Sequence, residues 1–222
     1  MYALKCKNYV FDLDGTLVDS MKPAVKIVLD YLDEHGVSYE PSIVKILTPL
    51  GFRGIAVYYA TELGIQRNPD EIYAEFVSRL KKVYENELAL KEGVLEALAG
   101  LKKQGARLNV LTASPHVFTD ACLKNLGVYD VFENVWTAED FGMLKSDVRI
   151  YGEAAKRLKA TIEDCVMVDD SLRVLKTAKG AGMKTIGVYE PFSDDEWEEV
   201  KKTADRSVFS FDELLHVVCA EN

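Results

Sequence analysis

The sequence predicts an α/β protein built on a doubly wound parallel sheet, with an all-helical domain inserted into it. Three observations support this prediction. Short apolar segments alternate with amphipathic helical segments, one long region has helical patterns alone, and three apolar segments end in acidic or hydroxyl residues. Strand alternating with helix is typical of a parallel sheet covered by helices on both faces. The ends of the apolar segments are therefore where a site is expected.

The predicted strands are short, apolar or β-branched, and cover residues 8–12, 106–112, 165–170 and 184–189. The helical patterns between them, several closed by glycine, cover residues 93–105, 115–127, 147–160 and 171–182. Ligands of such sheets bind outside the carboxyl ends of the strands. We therefore expect Asp12, Thr112 and the pair Asp169–Asp170 to meet in one crevice.

Residues 20–88 interrupt the alternation, because they read as successive amphipathic helices with no strand among them. We predict that they form an all-helical domain inserted into a core made of residues 1–19 and 89–222. The chain leaves the core just after Asp12 and Asp14. The inserted domain is therefore expected to fold over the crevice as a lid.

Composition limits the class of protein. The chain has 222 residues, 48% of them hydrophobic, so it can bury a full core, and its net charge is −9 with scattered basic residues. Nucleic acid is an unsuitable partner for such a surface, and no protein partner is implied. No signal sequence or apolar run of about 20 residues is present, so we expect a cytoplasmic protein without a membrane partner. The cysteines lack metal-ligand spacing and are predicted to be reduced core thiols: Cys6, Cys122, Cys165 and Cys219.

The segment VFDLDGTLVDS, residues 10–20, places Asp12 and Asp14 together where an apolar strand ends. Two close carboxylates repel each other unless a cation or a proton lies between them. They could share a divalent cation, or one could attack a substrate while the other moves protons. A calcium loop would place its glycine later and follow a helix, and a helix cap would explain one acid only. The pair therefore favours a metal or catalytic site.

Four motifs make the chain resemble the haloacid dehalogenase superfamily, in its phosphatase branch with a helical cap, which includes phosphoglycolate phosphatases and β-phosphoglucomutases. The motifs occur in the family's order, each at a strand end or in a loop: DLDGT at 12–16, LTAS at 111–114, Lys145, and VDDS at 168–171. The resemblance implies a Rossmann-like core, an inserted helical cap, and a Mg²⁺-dependent phosphatase that acts on a small phosphorylated metabolite.

The resemblance also implies the catalytic roles. Asp12 would be the nucleophile that takes the phosphoryl group, and Asp14 the general acid and base. Lys145 and Thr112 would offset charge on the transferring oxygens. From the residues alone, Lys145 could equally be a surface lysine and Thr112 a strand-end cap. Mg²⁺, a hard cation, suits an oxygen-only cluster, and its implied ligands are Asp12, the Asp14 carbonyl, Asp170, and Asp169 as a secondary or water-mediated ligand.

Substrate binding is assigned to Gly15 and Thr16 of the first motif, to Ser114 of the second, and to Arg53. The segment 48–56 is predicted to be a substrate-facing loop between cap helices, where Arg53 could clamp a carboxylate or a second phosphate. A solvated or helix-capping arginine remains an equal alternative. Ser114, which precedes Pro115, also suits a helix start.

The predicted reaction is hydrolysis of a phosphoester through a phospho-aspartate at Asp12. A sugar phosphomutase, in which the intermediate returns its phosphoryl group to another hydroxyl, is the alternative within enzymes. A non-catalytic sensor of a phosphorylated ligand is the alternative in another class, because a fold does not fix a function. The presence of Asp14 argues against the sensor, since a pure binder has little need for a general acid.

Overall fold

The computed structural model describes residues 6–219, without the side chains of Pro49 and Cys219. The chain divides into two compact units. The sheet unit contains the residues up to Asp19 and from Leu88 onward, and the helical unit is Ser20–Glu87. Leu88 therefore lies in the sheet unit, one residue before the predicted return at residue 89.

Within the described residues, six strands form one parallel sheet in the order β3-β2-β1-β4-β5-β6. They are β1 (Asn8–Phe11), β2 (Arg107–Thr112), β3 (Asn134–Thr137), β4 (Cys165–Asp169), β5 (Lys184–Val188) and β6 (Arg206–Val208). The predicted α/β fold with a doubly wound, Rossmann-like sheet is confirmed. The order reverses between β1 and β4, and such a reversal opens a crevice at the carboxyl ends of the strands.

The helices of the helical unit are α1 (Met21–Glu34), α2 (Ile43–Leu47), α3 (Gly51–Thr61) and α4 (Pro69–Asn86). Those of the sheet unit are α5 (Val94–Lys103), α6 (His116–Asn125), α7 (Arg149–Arg157), α8 (Leu172–Gly180), α9 (Trp197–Thr203) and α10 (Leu214–Cys219). Each of the four predicted helical segments of the core contains one of α5 to α8. No helix in the described part of the chain is long and apolar enough to cross a membrane.

The two central strands bring acidic residues together. All residues of β1 and β4 are buried, because parallel strands at the centre of a sheet are covered on both faces. Phe11 pairs with Val168, so Asp12 and Asp169 leave the sheet side by side. The Asp12 amide donates a further hydrogen bond to the Val168 carbonyl at 2.9 Å. The parallel register therefore brings together two aspartates that are far apart in sequence.

The edge strands β3 and β6 were not predicted. Their sequences, NVWT and RSV, include polar residues and positions that are only partly buried, so neither strand shows the apolar run that marks a central strand. β3 forms because it pairs with β2, with Thr112 beside Thr137, and β6 forms because it pairs with β5. Long-range pairing, rather than local sequence, decides these two strands.

The helical unit packs around three aromatic rings. The ring of Phe76 lies edge-on to Tyr31 at 5.2 Å and to Tyr59 at 5.9 Å, and the Tyr59 hydroxyl donates to the Val28 carbonyl at 2.8 Å. Such edge-to-face pairs stabilise a core beyond their buried area. The unit thus has an apolar core of its own.

The predicted loop at 48–56 is wrong, because this segment is helical. A 3₁₀ turn covers Thr48–Leu50, and α3 begins at Gly51. The physical reason is that Ile55, Ala56 and Tyr59 fall on one buried face of α3, so the apolar spacing continues a helix through the glycines.

Three of the four cysteines can be compared with the predicted reduced core thiols. Cys6, Cys122 and Cys165 are free thiols, as expected. Cys122 and Cys165 are buried, whereas Cys6 is only partly buried and does not fit the prediction of a core residue. The side chain of Cys219 lies outside the described part of the structure.

Candidate active site

The first motif forms a tight turn after β1. Asp12 is buried, and the turn is closed by hydrogen bonds from the Leu17 amide to the Leu13 carbonyl at 2.9 Å and from the Gly15 amide to the Val18 carbonyl at 3.1 Å. Leu13 and Leu17 are fully buried and anchor the turn in the core. The turn therefore holds Asp12 in place at the carboxyl end of the central strand β1.

The second motif contacts the first through Ser114. The Ser114 hydroxyl donates to Oδ2 of Asp14 at 2.5 Å, and the Ser114 amide donates to the Thr112 hydroxyl at 3.1 Å. Thr112, the last residue of β2, is buried. The structure therefore brings Asp14, Thr112 and Ser114 together at the carboxyl ends of β1 and β2.

Lys145 is a buried cation that joins two motifs. Its Nζ donates to Oδ1 of Asp12 at 2.6 Å and to Oδ2 of Asp169 at 2.7 Å. Burial alone would lower the pKa of Lys145, but the charges of the two aspartates and their hydrogen bonds outweigh burial and raise it. Lys145 is therefore a charged group that neutralises buried carboxylates, and the alternative of an ordinary surface lysine fails.

The fourth motif places two adjacent aspartates in different surroundings. Both carboxylate oxygens of Asp169 are engaged, since Oδ1 accepts from the Ser171 amide at 2.8 Å and Oδ2 from Lys145. Oδ1 of Asp170 accepts from the Thr16 hydroxyl at 2.9 Å, and the Asp170 amide donates back to that hydroxyl at 3.1 Å. Thr16 therefore orients Asp170.

Gly15 lies directly beside Asp170. The φ of Gly15 is +75°, in the left-handed region, and a Cβ at this position would lie 2.8 Å from Oδ2 of Asp170. Only glycine combines this backbone conformation with such a close approach. Gly15 and Thr16 were predicted to bind substrate, and the contact that the structure gives both of them is with Asp170.

Three carboxylates form a compact oxygen cluster. Asp12, Asp169 and Asp170 each offer one carboxylate oxygen, and these oxygens lie within 4.8 Å of one another. Burial raises the pKa of Asp12 well above its usual range, with Lys145 lowering it and the charges of Asp169 and Asp170 raising it. Burial, followed by the charge of Asp169, raises the pKa of Asp170 to about 7. The cluster is therefore short of positive charge.

The donor set fits a hard divalent cation. All three groups are oxygen donors without histidine or cysteine, which suits Mg²⁺ rather than zinc. In the described part of the chain, Oδ2 of Asp12 and Oδ2 of Asp170 have no hydrogen-bond partner, whereas both oxygens of Asp169 are occupied. Asp12 and Asp170 are therefore the better placed side-chain ligands. The side chain of Asp14 is outside this cluster. Asp14 was predicted to bind the metal through its main-chain carbonyl.

Arg53 belongs to the helical unit and is largely exposed. Its Nη1 pairs with Oδ1 of Asp70 at 3.0 Å, and its guanidinium lies 4.4 Å from the centre of the Tyr73 ring. These contacts hold the arginine within its own unit. Its role toward substrate stays a prediction.

Two supporting features were not found from the sequence. The Tyr151 hydroxyl donates to the Lys145 carbonyl at 2.6 Å. Lys91 forms a largely buried ion pair with Glu190 at 2.6 Å, and the positive charge of Lys91 partly offsets the rise that burial causes in the pKa of Asp170. The partners of the ion pair are 99 positions apart, so no local sequence pattern indicates it.

Fold and site together define the class: an α/β protein with an oxygen-rich, carboxylate-based crevice at the switch point of a parallel sheet. The family model of the haloacid dehalogenase-like hydrolases matches residues 9–188. The chain belongs to this family.

The relatives agree with this assignment. The phosphoglycolate phosphatase of Colwellia psychrerythraea is 26% identical over 221 residues, which cover 93% of this chain and 94% of that protein. The pyrophosphatase PpaX of Bacillus velezensis is 31% identical over 180 residues, which cover 81% of each. CbbY from Rhodobacter sphaeroides, in its crystal structure with xylulose-(1,5)bisphosphate, is 25% identical in sequence to this chain. The two structures superpose with a TM-score of 0.74 over 94% of this chain and 96% of that one. The chain is therefore a hydrolase of the family's phosphatase branch.

Proposed function

We propose that the chain is a Mg²⁺-dependent phosphatase that hydrolyses a small phosphorylated metabolite through a phospho-aspartate at Asp12. The observation that supports this most directly is the position of Asp12. One of its oxygens is held by Lys145, and it belongs to the oxygen cluster with Asp169 and Asp170. A carboxylate nucleophile beside both a fixed ammonium and a cation site is what attack on an anionic phosphate requires.

In the first step, a carboxylate oxygen of Asp12 attacks phosphorus. A bond forms between this oxygen and phosphorus, and the bond from phosphorus to the ester oxygen breaks. The leaving alkoxide takes its proton from Asp14, whose carboxylate contacts the Ser114 hydroxyl. Asp12 and Asp170, with the Asp14 carbonyl, would hold Mg²⁺, which supplies positive charge for the phosphoryl oxygens when bound.

In the second step, water attacks the phosphorus of phospho-Asp12. Asp14, now ionised, accepts a proton from the water, and the bond from phosphorus to Asp12 breaks to release inorganic phosphate. The Thr112 hydroxyl oxygen accepts from the Ser114 amide, so its own proton can be donated to a phosphoryl oxygen. Lys145 offsets negative charge in both steps.

The helical unit is proposed to act as the cap that selects the substrate. Arg53 carries an exposed guanidinium that Asp70 and Tyr73 hold in place, which suits contact with a second anionic group of the substrate. The relatives named above are a phosphoglycolate phosphatase, a pyrophosphatase and a protein crystallised with a pentulose bisphosphate. Small phosphates that carry a second anionic group are therefore the first compounds to test.

The test is a screen for phosphate release in the presence of Mg²⁺, using 2-phosphoglycolate, pyrophosphate, hexose phosphates and sugar bisphosphates. We expect turnover of at least one substrate and none by the variant Asp12→Asn, because an amide of nearly the same shape is a poor nucleophile. Asp147→Asn, at an ion pair with Arg149 outside the oxygen cluster, is the matched control and should retain activity. Mass spectrometry of acid-quenched enzyme should find a phosphoryl adduct on the peptide containing Asp12. Release of phosphate from no substrate, or wild-type rates in Asp12→Asn, would overturn the proposal.

A further inference from the structure

The imidazole of His116 bridges two carboxylates from different segments of the sheet unit. His116 is the first residue of α6. Its Nδ1 lies 2.9 Å from Oδ1 of Asp120 on the same helix, and its Nε2 lies 2.9 Å from Oδ2 of Asp140. Asp140 belongs to the 3₁₀ turn Ala138–Phe141, which follows β3. The ring therefore ties the start of α6 to the turn after β3.

Each of the two segments carries residues of the candidate site. The segment before His116 contains Thr112 and Ser114, and the Ser114 carbonyl accepts from the Thr119 hydroxyl of α6 at 3.1 Å. The segment after Asp140 reaches Lys145 five residues later. The bridge thus links the segment that contacts Asp14 through Ser114 to the segment that contacts Asp12 through Lys145.

The Asp140 end of the bridge is itself fixed. Oδ2 of Asp140 also accepts from the Thr137 amide at 2.8 Å, and the Asp140 carbonyl accepts from Arg157 of α7 at 2.8 Å. The ring of His116 is therefore attached to an anchored carboxylate, so its contact restrains the β2–α6 segment.

We propose that His116 is a positioning residue of the phosphatase reaction, which holds the segment carrying Thr112 and Ser114 in register with the segment carrying Lys145. The inference rests on the proposed function and deepens it. Catalysis by fixed donors depends on their placement, so a loosened bridge lowers the rate of the chemical step more than it weakens substrate binding.

The bridge depends on the charge of the ring. Only the protonated imidazole donates from both nitrogens, so only this form satisfies both carboxylates. The hydrogen bond to Asp120, opposed by burial and supported by Asp140, raises the pKa of His116. The charged groups that face the ring are Asp120 from α6 and Asp140 from the turn, and Arg157 of α7 acts on Asp140.

The sign of the pH effect follows from this shift. A pKa that is higher in the folded state than in the unfolded state stabilises the protein at pH values below the unfolded pKa of about 6.5. The stabilisation is lost as the pH rises through the folded pKa. The kcat should therefore fall on the alkaline side as His116 loses its proton.

Two substitutions separate positioning from a merely structural role. His116→Gln keeps at most one of the two contacts, and we expect kcat to fall about tenfold, within the roughly 10²-fold that a misplacement of about 1 Å can cost, with KM little changed. The fall in kcat at alkaline pH that we assign to His116 should disappear in this variant. His116→Arg keeps a permanent charge and several donors, so it should recover most of kcat and also lack that loss. The matched control is His35→Gln, because the His35 ring contacts the Tyr31 carbonyl in the helical unit. This variant should change neither kcat nor its fall at alkaline pH.

A second measurement does not depend on turnover. The chain has three histidines, so NMR titration of the imidazole resonances can follow each ring. We expect the pKa of His116 to fall in Asp120→Asn, and this measurement keeps the test open if His116→Gln fails to fold.

An unchanged His116 pKa in Asp120→Asn would overturn the bridge. A kcat loss that His116→Arg does not restore, with the alkaline loss unchanged, would overturn the positioning role alone. An absence of phosphoester turnover in the wild-type protein would instead overturn the proposed function on which the inference rests.

Discussion

Gly15 and Asp170 approach each other more closely than any side chain at position 15 would permit. A Cβ on Gly15 would lie 2.8 Å from Oδ2 of Asp170, the carboxylate oxygen that the Thr16 hydroxyl leaves unoccupied. The first motif therefore shapes the fourth across 154 positions of sequence, through a glycine and a threonine that both contact the same aspartate.

We expect Gly15→Ala to lose Mg²⁺ affinity and most phosphatase activity, because the methyl group displaces the carboxylate of Asp170. The positive φ adds a backbone cost of about 1–2 kcal/mol. Gly127→Ala is the matched control, since Gly127 has a φ of +70° and a Cβ there would have open space around it. Both variants should lose this backbone contribution in urea unfolding, and Gly15→Ala should lose at least as much stability as Gly127→Ala because of its close contact with Asp170. Equal Mg²⁺ affinity in the two, measured by calorimetry, would mean that the contact with Asp170 is unimportant.

Mg²⁺ should stabilise the wild-type protein through the oxygen cluster. At a concentration of 100 times the Kd, a ligand that binds only the folded state adds about 2.7 kcal/mol to the free energy of unfolding. Asp170→Asn should lose most of this gain, because the variant lacks one anionic ligand. Asp30→Asn, at an exposed pair on α1, should keep it. Chemical unfolding with and without Mg²⁺ checks this, and an equal gain in Asp170→Asn would place the metal elsewhere.

Lys145→Met should reduce both activity and stability. Removing one partner of a buried ion pair costs about 3–5 kcal/mol, because the carboxylates of Asp12 and Asp169 lose their shared cation. Adding Asp12→Asn to Lys145→Met should restore part of the stability and none of the activity.

Lys26→Met, at an exposed site, should change stability by no more than about 0.5 kcal/mol. Urea unfolding of the metal-free proteins measures these differences. A Lys145→Met protein as stable as the wild type would show that the ammonium does not neutralise the cluster.

Asp14→Asn should slow hydrolysis of alkyl phosphates far more than hydrolysis of an aryl phosphate. An alkoxide leaving group needs a proton from Asp14, whereas a phenolate with a low pKa leaves without help. Asp12→Asn is the comparison, because loss of the nucleophile should abolish both reactions. Steady-state kcat with the two substrate types, after Mg²⁺ binding and folding are checked, decides the matter. Equal losses in Asp14→Asn would mean that Asp14 acts through its charge and not through proton transfer.

The sequence alone determined the α/β class, the central strands and the meeting of the first, second and fourth motifs. Central parallel strands are buried on both faces, so they appear as apolar runs, and the acids that follow β1 and β4 are visible where these runs end. The order of motifs also indicated the family, which the match over residues 9–188 establishes.

The tertiary structure decided what each polar group contacts. The edge strands β3 and β6 depend on pairing with distant segments. The same is true of the contacts of Lys145 with Asp12, of Thr16 with Asp170 and of His116 with Asp140, which join residues 133, 154 and 24 positions apart. Sequence patterns report which face of a local element is buried, whereas a hydrogen bond between loops depends on how the whole sheet brings those loops together.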